Sequence, residues 1–568
     1  MIAYPLSMVL HSFRKNKVFS FINIAGLAIS MACCMVIGLY VLYEINYDRF
    51  HTNINRIVRV TEVQDQAGSL HPVAVTPGPL APALAARFPE IENTVRFMKW
   101  GGIIKSGGQT FEEKNILMTD NSCFNVFSFK MIKGNPQTAL AQPNEIVITE
   151  ATAEKYFGAN WASKSSIIGQ VLKLNNEASF ILAGVVKNLP AQSSFQFDIL
   201  LPLSYLFATD SWSMKWNSNN YHTYLLLKPG TSQGMLQQKM AGLLANYVNG
   251  SKDQLRLQPL EEQYLQSSFD FMTDWGKRSN INYVKIFSGI GLLLLLIACV
   301  NFINLSTARA VKRSMEVGIR KVNGASRQQL LRQFLGESLI MTCMSAVLAI
   351  LIINIASPWL TAITGFAIIN SVNSPLLWCL LAAAVLIIGV LAGLYPAFFL
   401  SSFQPVTVLK KTGATGRGKS FRQWLVVGQF AIAVALITCT FFMYRQLRYM
   451  QQKDLGFSTA QLVTIRLGSA LQEKSALLTA ALLQLPGIVA AAPSTVNMAN
   501  VDNGSYLEWQ GMQPNDKFLT TQANIDPGFI PALGLQLLAG NNFTKQYAND
   551  TSRFIINESA VKRMGYTV

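Results

Sequence analysis

The sequence predicts a polytopic α-helical membrane protein that carries large α+β domains outside the bilayer and contains an internal duplication. Three observations lead there. Five apolar runs have bilayer length, the net positive charge is concentrated in alternate segments, and three sequence blocks recur in the same order. The chain has 568 residues, of which 50% are hydrophobic and only 14% charged, a balance that leans away from an ordinary soluble protein.

About 20 apolar residues in helical conformation cross the hydrocarbon core of a bilayer. Val18–Tyr43, Lys285–Ser306, Ser338–Ser357, Leu376–Leu400 and Trp424–Tyr444 meet that length, and past the edge residue Lys285 none holds a Lys, Arg, Asp or Glu. The first run is too long for the apolar part of a cleaved signal peptide and is read as a retained anchor. The net charge of +17 would suggest nucleic acid in a soluble protein, but its location argues otherwise. Residues 1–17, 307–335 and 403–423 carry net charges of +3, +6 and +5, while 358–374 carries none. Lys and Arg accumulate on the cytoplasmic side of membrane proteins, so the charge is a topology signal and no nucleic-acid partner is predicted.

The elements follow in order: a cytoplasmic N terminus (1–17), span 1 (18–43), an outside domain (44–283), span 2 (284–306), a cytoplasmic segment (307–335) and span 3 (336–357). A short outside loop (358–374), span 4 (375–402), a basic cytoplasmic linker (403–423), span 5 (424–444) and a second outside domain (445–568) complete the chain. Within 44–283, Asn144–Gly158 reads as a strand entering a short helix, Val171–Pro190 as a hairpin turning near Asn175–Asn176, and Tyr221–Gly230 as another strand. Trp275, Trp359, Trp378 and Trp424 fall at predicted membrane interfaces, as aromatic anchors do. Six of the seven cysteines lie in membrane runs and Cys123 stands alone outside, so no disulfide framework is expected.

The duplication pairs Ala83–Arg96 with Ala480–Pro493, Asp120–Asn135 with Asp526–Asn541, and Glu145–Gly158 with Arg553–Tyr566, each set following a membrane run. After Gly158 the first copy continues for more than 120 residues to its next span, whereas three residues follow Gly565, so the second domain is expected to be incomplete and the chain a piece of a longer one.

The stretch Ser314–Ile340 joins spans 2 and 3. Ala310–Lys321 is helix-compatible, with Glu316 and Arg320 at the favourable i, i+4 order. Gly324 suits a left-handed helix end. Ser326 with Gln329 forms a capping-box pattern for a second short helix whose stripe is Leu330, Leu331, Phe334 and Leu335. Physics alone leaves two readings, a charge-anchored hairpin or a stiff elbow that a partner can push. Asn301 and Asn304 suit hydrogen bonds between helices, and Gly26 with Ser30 gives a small-xxx-small spacing for close packing.

No catalytic, cofactor or metal set is predicted. His11, His51, His71 and His222 are scattered, and Glu44 with Asp48 reads as an ordinary helix-to-domain junction. Gly413–Ser420 (GATGRGKS) matches the letters of a phosphate-binding loop, but a P-loop needs a strand before it and a helix after it inside an α/β domain. This stretch lies between two membrane runs and is read as a chance match in a connector, so the chain is not expected to be an enzyme.

Cys299–Leu339 (CVNFINLSTARAVKRSMEVGIRKVNGASRQQLLRQFLGESL), Gly389–Lys410, Tyr43–Val60 and Thr76–Glu92 resemble the FtsX/MacB-type ABC transporter permease family over nearly the whole chain. The resemblance implies a MacB-like periplasmic core domain, a unit of one helix, one outside domain and three helices, and tandem duplication as in Bacteroidetes-like members. It further implies that Arg313–Ser326 is a coupling helix on a separate cytoplasmic ABC ATPase dimer, with Arg313, Glu316, Gly318, Arg320, Lys321, Gly324 and Ser326 at or near the contact. ATP and Mg would act through that partner, and motion would pass to the outside domain by mechanotransmission, for export or efflux, with a periplasmic adaptor and an outer-membrane channel as further partners. A signalling protein that controls extracytoplasmic enzymes without transport is the rival reading. The implied location is the cytoplasmic (inner) membrane, with the N terminus inside and the large domains outside.

Overall fold

A computed structural model describes residues 17–66, 68–164, 167–271, 273–365, 375–401, 419–458, 461–465, 467–496, 504–513, 518–543 and 553–566. The chain divides into two units, Met1–Asn46 with Ile281–Lys453, and Tyr47–Asn280 with Asp454–Val568.

The first unit is helical. Its long helices are α1 (Lys17–Ile45), α2 (Ile281–Val322), α3 (Arg327–Thr364), α4 (Pro375–Ser401) and α5 (Lys419–Gln452). Four stretches are long and apolar enough to cross a membrane: Ser20–Ile45, Ile281–Ser306, Arg327–Thr364 and Gln423–Gln452. The fourth expected span is α4, 27 residues without a charged group, which includes the apolar stretch Trp378–Leu391. A helix suits these sequences because hydrocarbon offers no partner to backbone N–H and C=O groups, so each must be satisfied within its own segment. α1 to α4 share one apolar core, to which Met31 and Met35 of α1, Phe302 of α2, Met341 of α3 and Ile388 of α4 all contribute. α3 runs through Pro358 and ends at Gly365, whose φ of +67° closes it in the left-handed conformation. The expected loop at 358 therefore begins later, and Trp359 is an exposed helical residue.

The second unit is built around a twelve-stranded mixed sheet. The strands are β1 (Ile57–Gln66), β2 (Ser69–Val73), β3 (Thr76–Pro77), β4 (Ile91–Ser106), β5 (Gln109–Thr119) and β6 (Met131–Gly134). The others are β7 (Glu145–Thr149), β8 (Val171–Leu174), β9 (Ala178–Val186), β10 (Ile199–Pro202), β11 (Asn219–Leu227) and β12 (Gln254–Pro259). Their main order is β12-β1-β11-β4-β5-β10-β7-β9-β6, with β2 on β1, β3 on β11, and β8 between β4 and β9. β10 lies parallel to β5 and β7 parallel to β9; the remaining pairs are antiparallel.

Local signals place several of these elements. β7 runs into the helix Glu150–Phe157, where the Thr149 side chain accepts the Thr152 N–H and Gly158 takes a φ of +85° at the other end. β8 and β9 form the expected hairpin, and Asn175 and Asn176 both adopt positive φ, 53° and 61°, the geometry that asparagine tolerates in a tight hairpin turn. An aromatic cluster of Phe97, Phe127, Phe195 and Tyr224 fills the core beside β11 and β4, with the Phe127 and Phe195 ring centroids 4.7 Å apart.

Beyond α5, the helices Ser475–Leu482, Phe529–Leu533 and Glu558–Arg563 follow the order of Leu80–Arg87, Cys123–Val126 and Glu150–Phe157. The last of each series is capped alike: Asn557 accepts the Ala560 N–H as Thr149 accepts that of Thr152. Among the described residues this stretch also holds one antiparallel pair, Gly504–Tyr506 with Leu519–Thr521.

Candidate functional site

The elbow between α2 and α3 differs from the expected pair of short helices. α2 is one uninterrupted helix of 42 residues, whose apolar span Ile281–Ser306 takes 26. At about 1.5 Å per residue it is about 63 Å long, against a hydrocarbon core of about 30 Å. Its remaining part, 307–322, is a charged helical arm that no bilayer core can contain, and Arg313, Glu316, Gly318, Arg320 and Lys321 all lie on it. Gly318 does not interrupt the helix, since a lone interior glycine costs only about 1 kcal/mol and the helix is continuous on both sides.

The corner falls where expected. The Gly324 φ of +90° turns the chain, and an added Cβ there would meet nothing within 4 Å, so the glycine is required by backbone conformation and not by crowding. Ser326 then caps α3: its Oγ accepts the Gln329 N–H at 3.3 Å, and Gln329 Oε1 accepts the Ser326 N–H at 3.0 Å. This reciprocal pair stiffens the start of α3 at the corner.

The polar and small residues of the helices lie close together. A Cβ at Gly26 of α1 would lie 3.6 Å from Asn301 Nδ2 of α2, so the glycine makes room for the amide. Asn304 Oδ1 is buried and has no hydrogen-bond partner among the described residues, while Ser30 is half-buried. Gly393 of α4 carried no signal in the sequence, yet it leaves less room for a side chain than Gly26, Gly291 or Gly389. An added Cβ would come within 2.9 Å of the Ser338 side chain and 3.2 Å of Leu335 on α3.

In the second unit, the segments that continue α1 and lead into α2 are fastened by buried polar groups. Asp48 leaves the helical path with a φ of +58°, so it does not share a face with Glu44. Its carboxylate accepts the Ser194 N–H at 2.8 Å and the Ser194 hydroxyl at 2.5 Å. Burial pushes the Asp48 carboxyl up to about 6 against the pull of those two bonds. Arg59 on β1 is wholly buried and pairs with Asp274, just ahead of α2, through Nη1–Oδ1 and Nη2–Oδ2 distances of 3.1 and 3.2 Å. Gln258 and Ser267 accept its remaining bonds, and the Phe269 ring lies 4.8 Å from the guanidinium carbon. Burial pushes the Asp274 carboxyl up, but the Arg59 charge, the neighbouring His222 and the hydrogen bonds from Arg59 and the Gly276 backbone together hold the group below its ordinary value. Trp275 belongs to this cluster: its ring centroid lies 4.8 Å from that of His222, within the same unit.

Among the described residues no three His, Cys, Asp or Glu gather as a metal site. Burial pushes His51 and His222 down to about 3 and 4, so both are neutral; His51 Nδ1 accepts the Ser128 N–H and His222 Nε2 meets the Thr273 carbonyl. The Cys123 thiol is fully buried and pushed up by that burial. In the P-loop-like stretch, 413–418 lie outside the described residues, and Lys419 and Ser420 open α5.

A helical bundle of bilayer-crossing length, with an α+β domain inserted between its first two helices, defines a polytopic membrane protein. Residues 20–243 match the MacB-like periplasmic core domain, and residues 288–405 match the FtsX-like permease C-terminal domain. The chain therefore belongs to the FtsX/MacB-type family of ABC transporter permeases, with its α+β domain on the extracytoplasmic side. A relative described as the uncharacterized ABC transporter permease YknZ of Bacillus subtilis is 25% identical over 293 residues, 50% of this chain and 67% of that one. The uncharacterized ABC transporter permease YvrN of the same organism is 24% identical over 339 residues, 57% of this chain and 79% of that one. The macrolide export ATP-binding/permease protein MacB of Salmonella paratyphi A is 23% identical over 296 residues, 51% of this chain but only 42% of that longer protein.

Proposed function

We propose that the chain is the membrane subunit of an ABC system and couples ATP hydrolysis on a separate cytoplasmic ATPase to motion of its extracytoplasmic domain, for export or efflux. One observation carries the reading. The helix that leaves the extracytoplasmic domain continues without a break through the bilayer and about 16 residues beyond its apolar span, ending at a glycine turn and a capped return helix. Such an arm transmits a push along its axis, because bending it would break hydrogen bonds of the i→i−4 ladder.

On this reading the arm, the corner and the N terminus are cytoplasmic, and Arg313, Glu316, Gly318, Arg320, Lys321, Gly324 and Ser326 form or border the ATPase contact. ATP and Mg bind the partner, consistent with relatives described as permeases. A periplasmic adaptor and an outer-membrane channel would complete an efflux assembly. The segment after α5 is read as a second copy of the extracytoplasmic domain, supported by the three recurring blocks and their matching short helices.

The test is co-purification of the ATPase with Glu316→Ala and Arg320→Ala variants. Reduced retention with unchanged membrane insertion is expected; wild-type retention in both variants and in their combination would remove these two residues from the contact.

A further inference from the structure

The extracytoplasmic domain has two covalent links to the helices. One is the incoming segment at Tyr47–Asp48, which continues α1; the other is the outgoing segment at Lys277–Ser279, which leads to α2. Both are held by the same two residues. Ser194 donates its N–H and its hydroxyl to Asp48, at 2.8 and 2.5 Å, and its carbonyl accepts the Lys277 N–H at 3.4 Å. Tyr264 stacks on Tyr47 with ring planes 1° apart, and its carbonyl accepts the Ser279 N–H at 2.7 Å.

The loop around Ser194 grips the incoming segment further. The Asp48 N–H reaches the Gln192 carbonyl at 2.9 Å, and the Tyr47 hydroxyl reaches that of Ala191 at 3.1 Å. Asp48, Ser193 and Ser194 are buried, so water does not compete for these bonds. The residues so joined are far apart in sequence. Asp48 and Ser194 are separated by 146 positions, and the loop has no covalent need to touch either segment.

We infer that Ser194 and Tyr264 form a yoke that ties the incoming and outgoing segments into one mechanical piece. The extracytoplasmic ends of α1 and α2 then cannot separate without breaking buried contacts, and the domain receives their common displacement. A domain hung on two independent tethers would absorb a movement of one helix as slack; a yoked domain follows it. Ser194 and Tyr264 are positioning residues in this scheme, and their use in transmission rests on the coupling function proposed above. The tie itself does not, and it is tested on the full chain without any ATPase.

The experiment is hydrogen exchange, read by mass spectrometry, on the whole chain in lipid nanodiscs. Asp48→Ala removes the acceptor for both Ser194 bonds while leaving every direct contact of the outgoing segment in place. A yoke predicts about tenfold faster exchange in the peptides covering 45–52 and also in those covering 275–281. Protection of 103–112, in the β4–β5 hairpin, should stay unchanged and reports an intact fold. Faster exchange confined to 45–52 overturns the yoke. Should Asp48→Ala lose protection at 103–112 as well, Ser194→Ala decides the matter, because it deletes only the hydroxyl. It is expected to raise exchange in both segments by a few-fold, and an effect on one segment alone again overturns the proposal. Loss of ATPase binding in elbow variants, with this exchange pattern intact, would count against the coupling function and leave the yoke standing.

Discussion

Asp274→Ala should be among the most damaging single changes in the extracytoplasmic domain. Arg59 is fully buried and Asp274 is 2% exposed in its side chain, so the pair has no water to fall back on. Removing the carboxylate leaves a guanidinium inside the domain with only Gln258, Ser267 and the Phe269 face as partners. Breaking a buried ion pair in this way costs about 3–5 kcal/mol, because the surviving charge keeps its desolvation penalty. For a domain of this size each kcal/mol moves the melting midpoint by about 2–4 °C, so a fall of about 6–20 °C is expected. The assay is thermal unfolding of the full chain in detergent, followed by tryptophan emission, to which Trp275 beside the pair contributes. The double variant Arg59→Met/Asp274→Leu removes both charges and should recover most of the loss, as apolar replacements of buried pairs do. A shift below about 1 kcal/mol for Asp274→Ala, or a double variant as damaged as the single, would refute the reasoning.

Three further outcomes are expected. Glu62, 2% exposed on β1, accepts from Gln64 and Asn219 with one oxygen while the other is buried without a partner. Burial pushes its carboxyl up to about 7 from 4.5, so the folded state holds its proton more tightly than the unfolded one. Its contribution to stability is full below about pH 4.5 and is lost as pH rises towards and through 7, a swing of about 3 kcal/mol. Glu62→Gln should flatten that part of the profile in denaturant titrations between pH 5 and 8; an unchanged slope would count against it. Ser326→Ala removes a cap and should destabilise the start of α3 by about 1 kcal/mol, seen as faster amide exchange at 327–330 with α1 unaffected. Gly393→Leu forces its side chain into Ser338 and Leu335 and should lower the melting point of the helical unit, whereas Gly38→Leu, where an added Cβ meets nothing within 4 Å, should be tolerated.

The sequence was most legible where the signal is local. The asparagine pair at 175–176, the strand-to-helix step at 145–157 and the Ser326–Gln329 box each fold as their own residues dictate. Long apolar runs were legible for the same reason, since hydrocarbon leaves the backbone no alternative to a helix. Two kinds of feature were not. Charges at 309–321 marked a side of the membrane but gave no boundary, because neither a cap nor a breaker separates them from span 2; hence one 42-residue helix stands where two pieces were expected. Partners across the fold were illegible because tertiary packing chooses them. Arg59 and Asp274 lie 215 positions apart, and nothing around Trp275 distinguishes a membrane anchor from a residue packed on His222. Asp48 looked like the last acid of a helix, and only its left-handed backbone turns it towards Ser194.

The central claim is that an ATPase works on the elbow beyond α2. Replacing 313–326 with a flexible Gly/Ser segment of equal length, and weighing the ATPase retained by the purified chain, tests it most directly. Retention is expected to be lost while the domain's hydrogen-exchange pattern and membrane insertion persist; retention at the wild-type level would show that the ATPase does not dock on the elbow.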